Sequence, residues 1–368
     1  MKRIYLSPPW TGAEERAAVA AAFDSGYIAP CGPMVDAFER ELARLSGRGH
    51  AVAVASGTAA IDLVMEHLGV DASWTVVAPT LTFMATVGPA WHRGARLVFV
   101  DSDATGNVDA GLLDRALGEC APACAAGRAL FVGVDLYGRC MDYGAVSRIC
   151  RGRGAALLCD SAEAVGATSR GRPSGTAGLA GIYSFNGNKI ITTSGGGAIV
   201  TDSRELAEHA RKLSQQSREP KPWYEHVEVG YNYRMSNILA ALGLAQVAKL
   251  PEILAARART KARYTALLSG TGASLLPPVD GENNWLSVAI LDSEASRDRL
   301  LAAFAEADIE SRPVWKPMHM QPVFANCRFC GGNVAEGLFR RGICLPSGSG
   351  LADDDWVRIE AVLRKALA

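Results

Sequence analysis

Short apolar runs alternate with amphipathic stretches through the first two-thirds of the chain. Ala51–Ala55, Thr75–Ala78, Arg96–Val100, Leu130–Val134, Ala155–Cys159 and Ala198–Thr201 are nearly unbroken apolar segments of strand length. Such runs predict strands buried on both faces. Between most of them apolar residues return at helical spacing. Val35, Phe38, Leu42 and Leu45 do so ahead of Gly47, and Ile61, Val64, Met65 and Leu68 do so after Ser56-Gly57-Thr58. Thr11-Gly12-Ala13-Glu14 predicts a capping box opening an alanine-rich helix, with Gly26 as its stop. Repeated strand-then-helix order predicts an α/β domain with a mostly parallel sheet covered on both faces, a three-layer arrangement.

Beyond this region the pattern changes. Two helices are predicted, Ser236–Ala248 and Glu252–Leu268, before Gly270-Thr271-Gly272 and Pro277-Pro278 interrupt the periodicity. A strand region at Trp285–Leu291, a helix at Ser296–Ala307 and a terminal helix from Asp353 complete a smaller α+β unit. The division is placed at residue 250, giving a large domain over 1–250 and a small one over 251–368. No internal repeat or low-complexity segment is visible.

A chain of 368 residues can bury a large core. Its 49% hydrophobic and 21% charged residues argue against disorder. Lys+Arg and Asp+Glu each number 38, so no basic excess points to nucleic acid or a membrane surface. Lys2 and Arg3 are not followed by an apolar stretch, so no signal peptide is expected. No apolar run is read as approaching the ~20 residues of a membrane span. The expectation is a cytoplasmic protein with no membrane and no nucleic-acid partner. Nine scattered cysteines, several in apolar runs such as Cys140, Cys150, Cys159 and Cys344, fit reduced core thiols. Cys327 and Cys330 form one C-x-x-C without a second ligand pair, so no metal site is expected.

The chemistry concentrates around Lys189, in Ser184-Phe185-Asn186-Gly187-Asn188-Lys189, ahead of Gly195-Gly196-Gly197. Burying an amine disfavours its charged form and makes it a nucleophile towards aldehydes. Leu157-Leu158-Cys159-Asp160 reads as a strand ending in a carboxylate, where open α/β sheets bind ligands. An amine and such a carboxylate suggest pyridoxal 5′-phosphate, held as a Schiff base on Lys189 with Asp160 facing its ring nitrogen. Taken alone, Asp160 reads equally well as a helix cap. Ser56-Gly57-Thr58-Ala59 follows a strand and opens a helix, which suits a phosphate, although a capped turn has the same sequence. Ser184 adds a hydroxyl, and Asn232 lies in the aromatic loop Gly230-Tyr231-Asn232-Tyr233. Phe83 is the candidate for the cofactor's ring face, with a core role as its plainer reading. Neither a G-x-G-x-x-G nor a nucleotide-triphosphate loop is present.

Together, Ser56-Gly57-Thr58-Ala59-Ala60, Leu81-Thr82-Phe83, Asp160–Gly166, Ser184–Lys189 and Gly230–Asn237 resemble the DegT/DnrJ family of pyridoxal-phosphate-dependent nucleotide-sugar aminotransferases. The resemblance runs over nearly the whole chain. It implies the fold-type I aminotransferase architecture and a homodimer with shared active sites. By position it implies that Lys189 is the cofactor-bound lysine, Asp160 the pyridinium partner and Phe83 the stacking residue. Gly57, Thr58, Ala59 and Ser184 correspond to phosphate contacts, and Asn232 to a contact from the neighbouring subunit. Ala162 and Glu163 fall beside the cofactor, Glu163 where many members carry glutamine. Relatives with histidine in place of the lysine are dehydratases, and this chain keeps Lys189.

A finer resemblance is to the branch that forms UDP-4-amino-4,6-dideoxy-N-acetylglucosamine on the bacillosamine route. It rests on Tyr27-Ile28-Ala29-Pro30, Arg312–His319 and Cys344-Leu345-Pro346-Ser347-Gly348, besides the lysine segment. It implies L-glutamate as amino donor and a UDP-linked 4-keto-6-deoxy sugar as acceptor. Ile28, Ala29, Pro30, Arg312, Lys316 and His319 then become candidate substrate contacts, with ordinary surface roles as the alternative for each. Other readings left open are a dTDP-linked or 3-keto acceptor, a sugar dehydratase, and a non-catalytic cofactor-binding regulator.

Overall fold

The computed structural model describes residues 2–367. Its strands in chain order are β1 (His50–Val54), β2 (Thr75–Pro79), β3 (Arg96–Val100), β4 (Ala129–Val134), β5 (Ala156–Asp160), β6 (Thr168–Ser169), β7 (Arg172–Pro173), β8 (Ala180–Ser184), β9 (Gly197–Thr201), β10 (Ser274–Leu275), β11 (Ser287–Ile290), β12 (Arg312–Pro313), β13 (Arg328–Cys330) and β14 (Gly342–Leu345). The main sheet has the order β1-β9-β8-β5-β4-β2-β3-β13. β9 runs antiparallel to both neighbours, β1 and β8. The pairs from β8 across to β13 are all parallel.

Alternate residues of these strands enter two different layers, as the two-residue period of a strand requires. Val76, Leu130, Leu158, Ile182 and Ile199 pack with Ile61, Val64, Met65 and Leu206. Val77, Phe131, Leu157 and Cys159 face the other way, onto Leu113, Leu117, Val146 and Cys150. The three-layer α/β expectation is met. A second sheet, β10-β11-β14-β12, is antiparallel throughout. Leu300 and Phe304 of helix Glu294–Glu306 and Trp356 and Ile359 of helix Asp353–Leu367 bury against its Ile343 and Leu345. Ile4 bridges to Ile309, so the chain's beginning packs with this smaller layer.

Several local readings need correction. β8 is absent from the predicted strands because Gly181 breaks its apolar run. A Cβ there would collide with the Gly175 backbone, so glycine is a packing requirement rather than a turn signal. β13 is also unpredicted; it joins β3 at the sheet edge and buries Cys330. The amino-terminal cap uses Gly12 and Glu15, one residue beyond the expected pair: the Glu15 carboxylate accepts the Gly12 N–H at 2.6 Å and Gln246 Nε2 at 2.7 Å.

The predicted gap between residues 248 and 252 does not exist. One helix runs Asn237–Leu268 with Pro251 inside it. Proline costs the helix a backbone hydrogen bond. Burial on both sides outweighs that loss: Ala240, Ala241 and Val247 precede it, and Ile253, Ala256 and Tyr264 follow. Among the described residues this helix alone has the length and hydropathy to cross a membrane, which the sequence reading overlooked. Helices Ala13–Asp24 and Pro33–Ser46 pack against it instead.

Candidate active site

The carboxyl ends of the parallel strands converge on one edge of the main sheet, where ligands bind in open α/β folds. Asp160 ends β5 and Ser184 ends β8 there. Because β9 is reversed, the Phe185–Gly196 connection turns back at this same edge and delivers Lys189. A cleft of about 1120 Å³ opens above it, with the main sheet on one side and β12 with its following loop on the other.

Lys189 sits on the floor with its side chain 13% exposed. Its Nζ lies 3.3 Å from Glu163 Oε1 and 4.4 Å from the centre of the Trp285 ring. Glu163 Oε2 accepts the Tyr137 N–H at 2.7 Å. Burial pushes the Glu163 carboxyl up to about 7, opposed by the Lys189 ammonium and the Tyr137 N–H.

Asp160 is buried at the strand end. Oδ2 accepts the Thr86 hydroxyl at 2.6 Å and Oδ1 accepts the Ala162 N–H at 3.2 Å. Burial raises its carboxyl, while Thr86, Ala162 and Lys189 act the other way. Behind it Asp135, wholly buried, accepts the Tyr143 and Ser161 hydroxyls, each at 2.5 Å, so the residue following Asp160 is anchored.

Ser56 caps helix Gly57–His67, its Oγ accepting the Ala59 N–H at 3.0 Å. Gly57 and Thr58 line the cleft beside Ser184, and their N–H groups have no acceptor among the described residues. Ala59 sits behind them, outside the lining. Phe83 exposes 60% of its surface in the cleft, 5.7 Å from the Trp315 ring. Arg312 and Lys316 line the facing wall, Arg312 paired with Glu310 at 3.0 Å.

The structure thus gathers Lys189, Asp160, Gly57, Thr58, Phe83, Ala162, Glu163, Ser184, Arg312 and Lys316 in one cleft. It does not bring the remaining candidates there. His319 turns away: Nδ1 meets the Thr80 hydroxyl at 2.6 Å and the ring stacks on Phe329 at 3.8 Å, cross-linking the loop to the sheet edge. Ile28, Ala29 and Pro30 lie on an exposed loop pinned by Asn237, whose N–H donates to the Ala29 carbonyl at 2.9 Å. Asn232 is exposed and bridges to Gln215. Sequence reasoning missed Thr86, Trp285 and Trp315. Thr86 follows the Leu81-Thr82-Phe83 motif by only three residues and Trp315 lies within the Arg312–His319 segment, signals that were available; Trp285 carries none locally. Among the described residues no cluster of three or more His, Cys, Asp or Glu forms a metal site.

The site's chemistry fits pyridoxal phosphate. It offers an amine for the aldehyde, a buried carboxylate for the ring nitrogen, an open aromatic face and free N–H groups at a helix start. Fold and site together suit a pyridoxal-phosphate-dependent enzyme, and the comparisons with known proteins make it a sugar aminotransferase. Residues 9–364 match the DegT/DnrJ/EryC1/StrS aminotransferase family, and the chain belongs to that family. It is 42% identical over 370 residues to the candidate pyridoxal phosphate-dependent aminotransferase EpsN of Bacillus subtilis (strain 168), covering 98% of this chain and 95% of that one. It is 35% identical over 374 residues to the GDP-perosamine synthase of Caulobacter vibrioides, covering 100% and 99%. Among solved structures, the aminotransferase TlmJ of Streptoalloteichus hindustanus superimposes with a TM-score of 0.92 at 30% identity, covering 99% of this chain and 98% of that one.

Proposed function

We propose that the protein moves the amino group of L-glutamate to C4 of a nucleotide-linked 4-keto-6-deoxy sugar. The acceptor we assign is UDP-2-acetamido-2,6-dideoxy-hexos-4-ulose; the products are 2-oxoglutarate and a UDP-linked 4-amino sugar. The observation that carries the reading is a half-buried amine between a carboxylate-bearing sheet edge and a wall holding two cations, Arg312 and Lys316. When bound, pyridoxal phosphate supplies an electron sink for the carbon that loses its proton. Lys189 Nζ is the mobile base placed to take that proton and return it. Glu163, 3.3 Å away, holds the amine and shares its charge. Asp160, fixed by Thr86 and Ala162, keeps a negative charge where a protonated ring nitrogen would lie. Arg312 and Lys316 suit the diphosphate of the nucleotide.

A homodimer belongs to this reading. Asn232 stands outside its own cleft, and the nearby segment exposes Trp223, Tyr224, Val227 and Val229. An apolar surface of this kind favours a partner, and a second copy would bring Asn232 to the neighbouring site. We place the enzyme in the cytoplasm, where activated sugars are assembled. One observation favours a second acceptor, a GDP-linked sugar: the 35% identity to GDP-perosamine synthase. The test is to load the enzyme with the amino group from L-glutamate, then offer UDP-, GDP- and dTDP-linked 4-keto sugars. The UDP-linked sugar is expected to restore the aldehyde absorbance fastest. Restoration only by the GDP-linked sugar would replace the nucleotide assignment, and restoration by none would overturn the reading.

A further inference from the structure

Tyr137 has a left-handed backbone, φ 54° and ψ 28°, outside any regular element's requirement. A buried tyrosine in that conformation is strained, and strain of this kind collects where surrounding contacts need the geometry. The Tyr137 N–H donates to Glu163 Oε2 at 2.7 Å, and the same carboxylate's Oε1 faces Lys189. At the other end of the residue, the phenol oxygen accepts the Trp315 N–H at 3.1 Å. The Tyr137 ring lies 5.1 Å from the Trp315 ring and 6.3 Å from the Trp285 ring. One residue therefore touches the carboxylate beside the reacting amine and the wall between Arg312 and Lys316.

The turn is locked from behind. The Gly138 carbonyl accepts the Asn283 N–H at 2.9 Å. Asn283 Nδ2 donates to the Glu163 carbonyl at 2.9 Å and the Val165 carbonyl at 3.0 Å, and its Oδ1 accepts the Trp285 N–H at 2.9 Å. A Cβ on Gly138 would collide with Asn283, so only glycine allows the turn to close this tightly. Both Tyr137 and Asn283 are buried. A backbone amide alone would hold Glu163; the phenol serves the opposite wall.

We propose that Tyr137 is a positioning residue for the sugar half of the reaction, fixing the Arg312–Lys316 wall relative to Glu163 and Lys189. The proposal rests on the nucleotide-sugar reading above. Tyr137→Phe removes the phenol oxygen and keeps the ring and the N–H to Glu163. Trp315 then loses its acceptor, and the wall loosens at the point where the sugar would meet it.

The experiment compares wild type with Tyr137→Phe in the cofactor-loaded enzyme, following each half-reaction separately by stopped-flow absorbance. L-glutamate drives the first and UDP-2-acetamido-2,6-dideoxy-hexos-4-ulose the second. A calorimetric titration of UDP into each protein gives a readout independent of turnover. The expected result is a KM for the keto sugar raised about tenfold relative to the change in KM for glutamate, with a parallel rise in the UDP dissociation constant. Equal changes in both half-reactions, or none in either, would overturn the proposal. Trp315→Pro is the second variant, needed should Tyr137→Phe fail to fold. It deletes the N–H that the phenol accepts while leaving Tyr137 and its turn intact, and an unaltered sugar half-reaction there would also overturn the proposal. If wild type itself neither turns over the UDP-linked sugar nor binds UDP, the substrate reading has failed. The same comparison is then run with the GDP-linked sugar and GDP, and Tyr137 is judged on that pair.

Discussion

The two walls of the cleft are built differently. On the main-sheet side several polar groups sit at a strand end or a helix cap with their partners in place: buried Asp160 with Thr86 and Ala162, half-buried Ser56 with Ala59, and buried Asp135 with Tyr143 and Ser161. On the facing side Arg312 is 66% exposed, paired only with a residue two positions away, and Lys316 lies in a loop. Buried, fully bonded groups keep their geometry and their shifted protonation, as bond-making chemistry demands. An exposed guanidinium on a two-residue strand and a half-buried ammonium on the following loop hold charge at modest strength and adapt to the ligand. We propose that the first wall performs the reaction and the second selects the acceptor.

That contrast can be broken by substitution. The largest effect is expected for Lys189→Ala, which should lower turnover by at least about 10³-fold and abolish the visible absorbance of the bound cofactor. Near-normal turnover would remove Lys189 from the centre of the site. Asp160→Asn keeps the shape and deletes the charge. A loss of about 10²-fold in both half-reactions is expected, with weaker cofactor retention on dialysis; a change in the sugar half-reaction alone would put Asp160 on the wrong wall.

Glu163→Gln tests the wall by pH. Burial lifts the Glu163 carboxyl from 4.5 in the unfolded chain to about 7. Its proton therefore contributes stability that is full below the unfolded value and lost as pH rises through the folded one. Wild type should lose thermal stability relative to the glutamine variant by about 2–4 °C between about pH 5 and about pH 8, measured on cofactor-free protein. A constant gap across that range would mean that Glu163 stays ionised. The smallest effect belongs to the other wall: Lys316→Ala should raise the KM for the nucleotide sugar about fivefold, and the difference should shrink at high salt. A salt-independent change would point to packing instead of charge.

The main-sheet wall was largely legible in the chain. Asp160 and Ser56-Gly57-Thr58 are polar residues directly after apolar runs, and that boundary is a local signal. Lys189 stood out because polar and glycine-rich residues surround it. The facing wall was legible only through resemblance, and that route misplaced His319 relative to the cleft. Its ring is drawn to Thr80 and Phe329, partners brought near by the pairing of β13 with β3. Trp285 and Tyr137 gave no hint of their roles, because each works through contacts between the two sheets.

By itself the sequence determined the alternation of strands and helices, the sheet edge at which polar residues collect, and the amine and carboxylate that mark the chemistry. These depend on neighbours within a few residues, so periodicity and punctuation encode them. Tertiary structure alone decided the reversal of β9 that swings Lys189 to that edge, the unbroken helix through Pro251, and the Tyr137–Asn283 lock joining the walls. Each of these is settled by burial and hydrogen bonding between segments far apart in the chain, whose energies outweigh what any local stretch prefers.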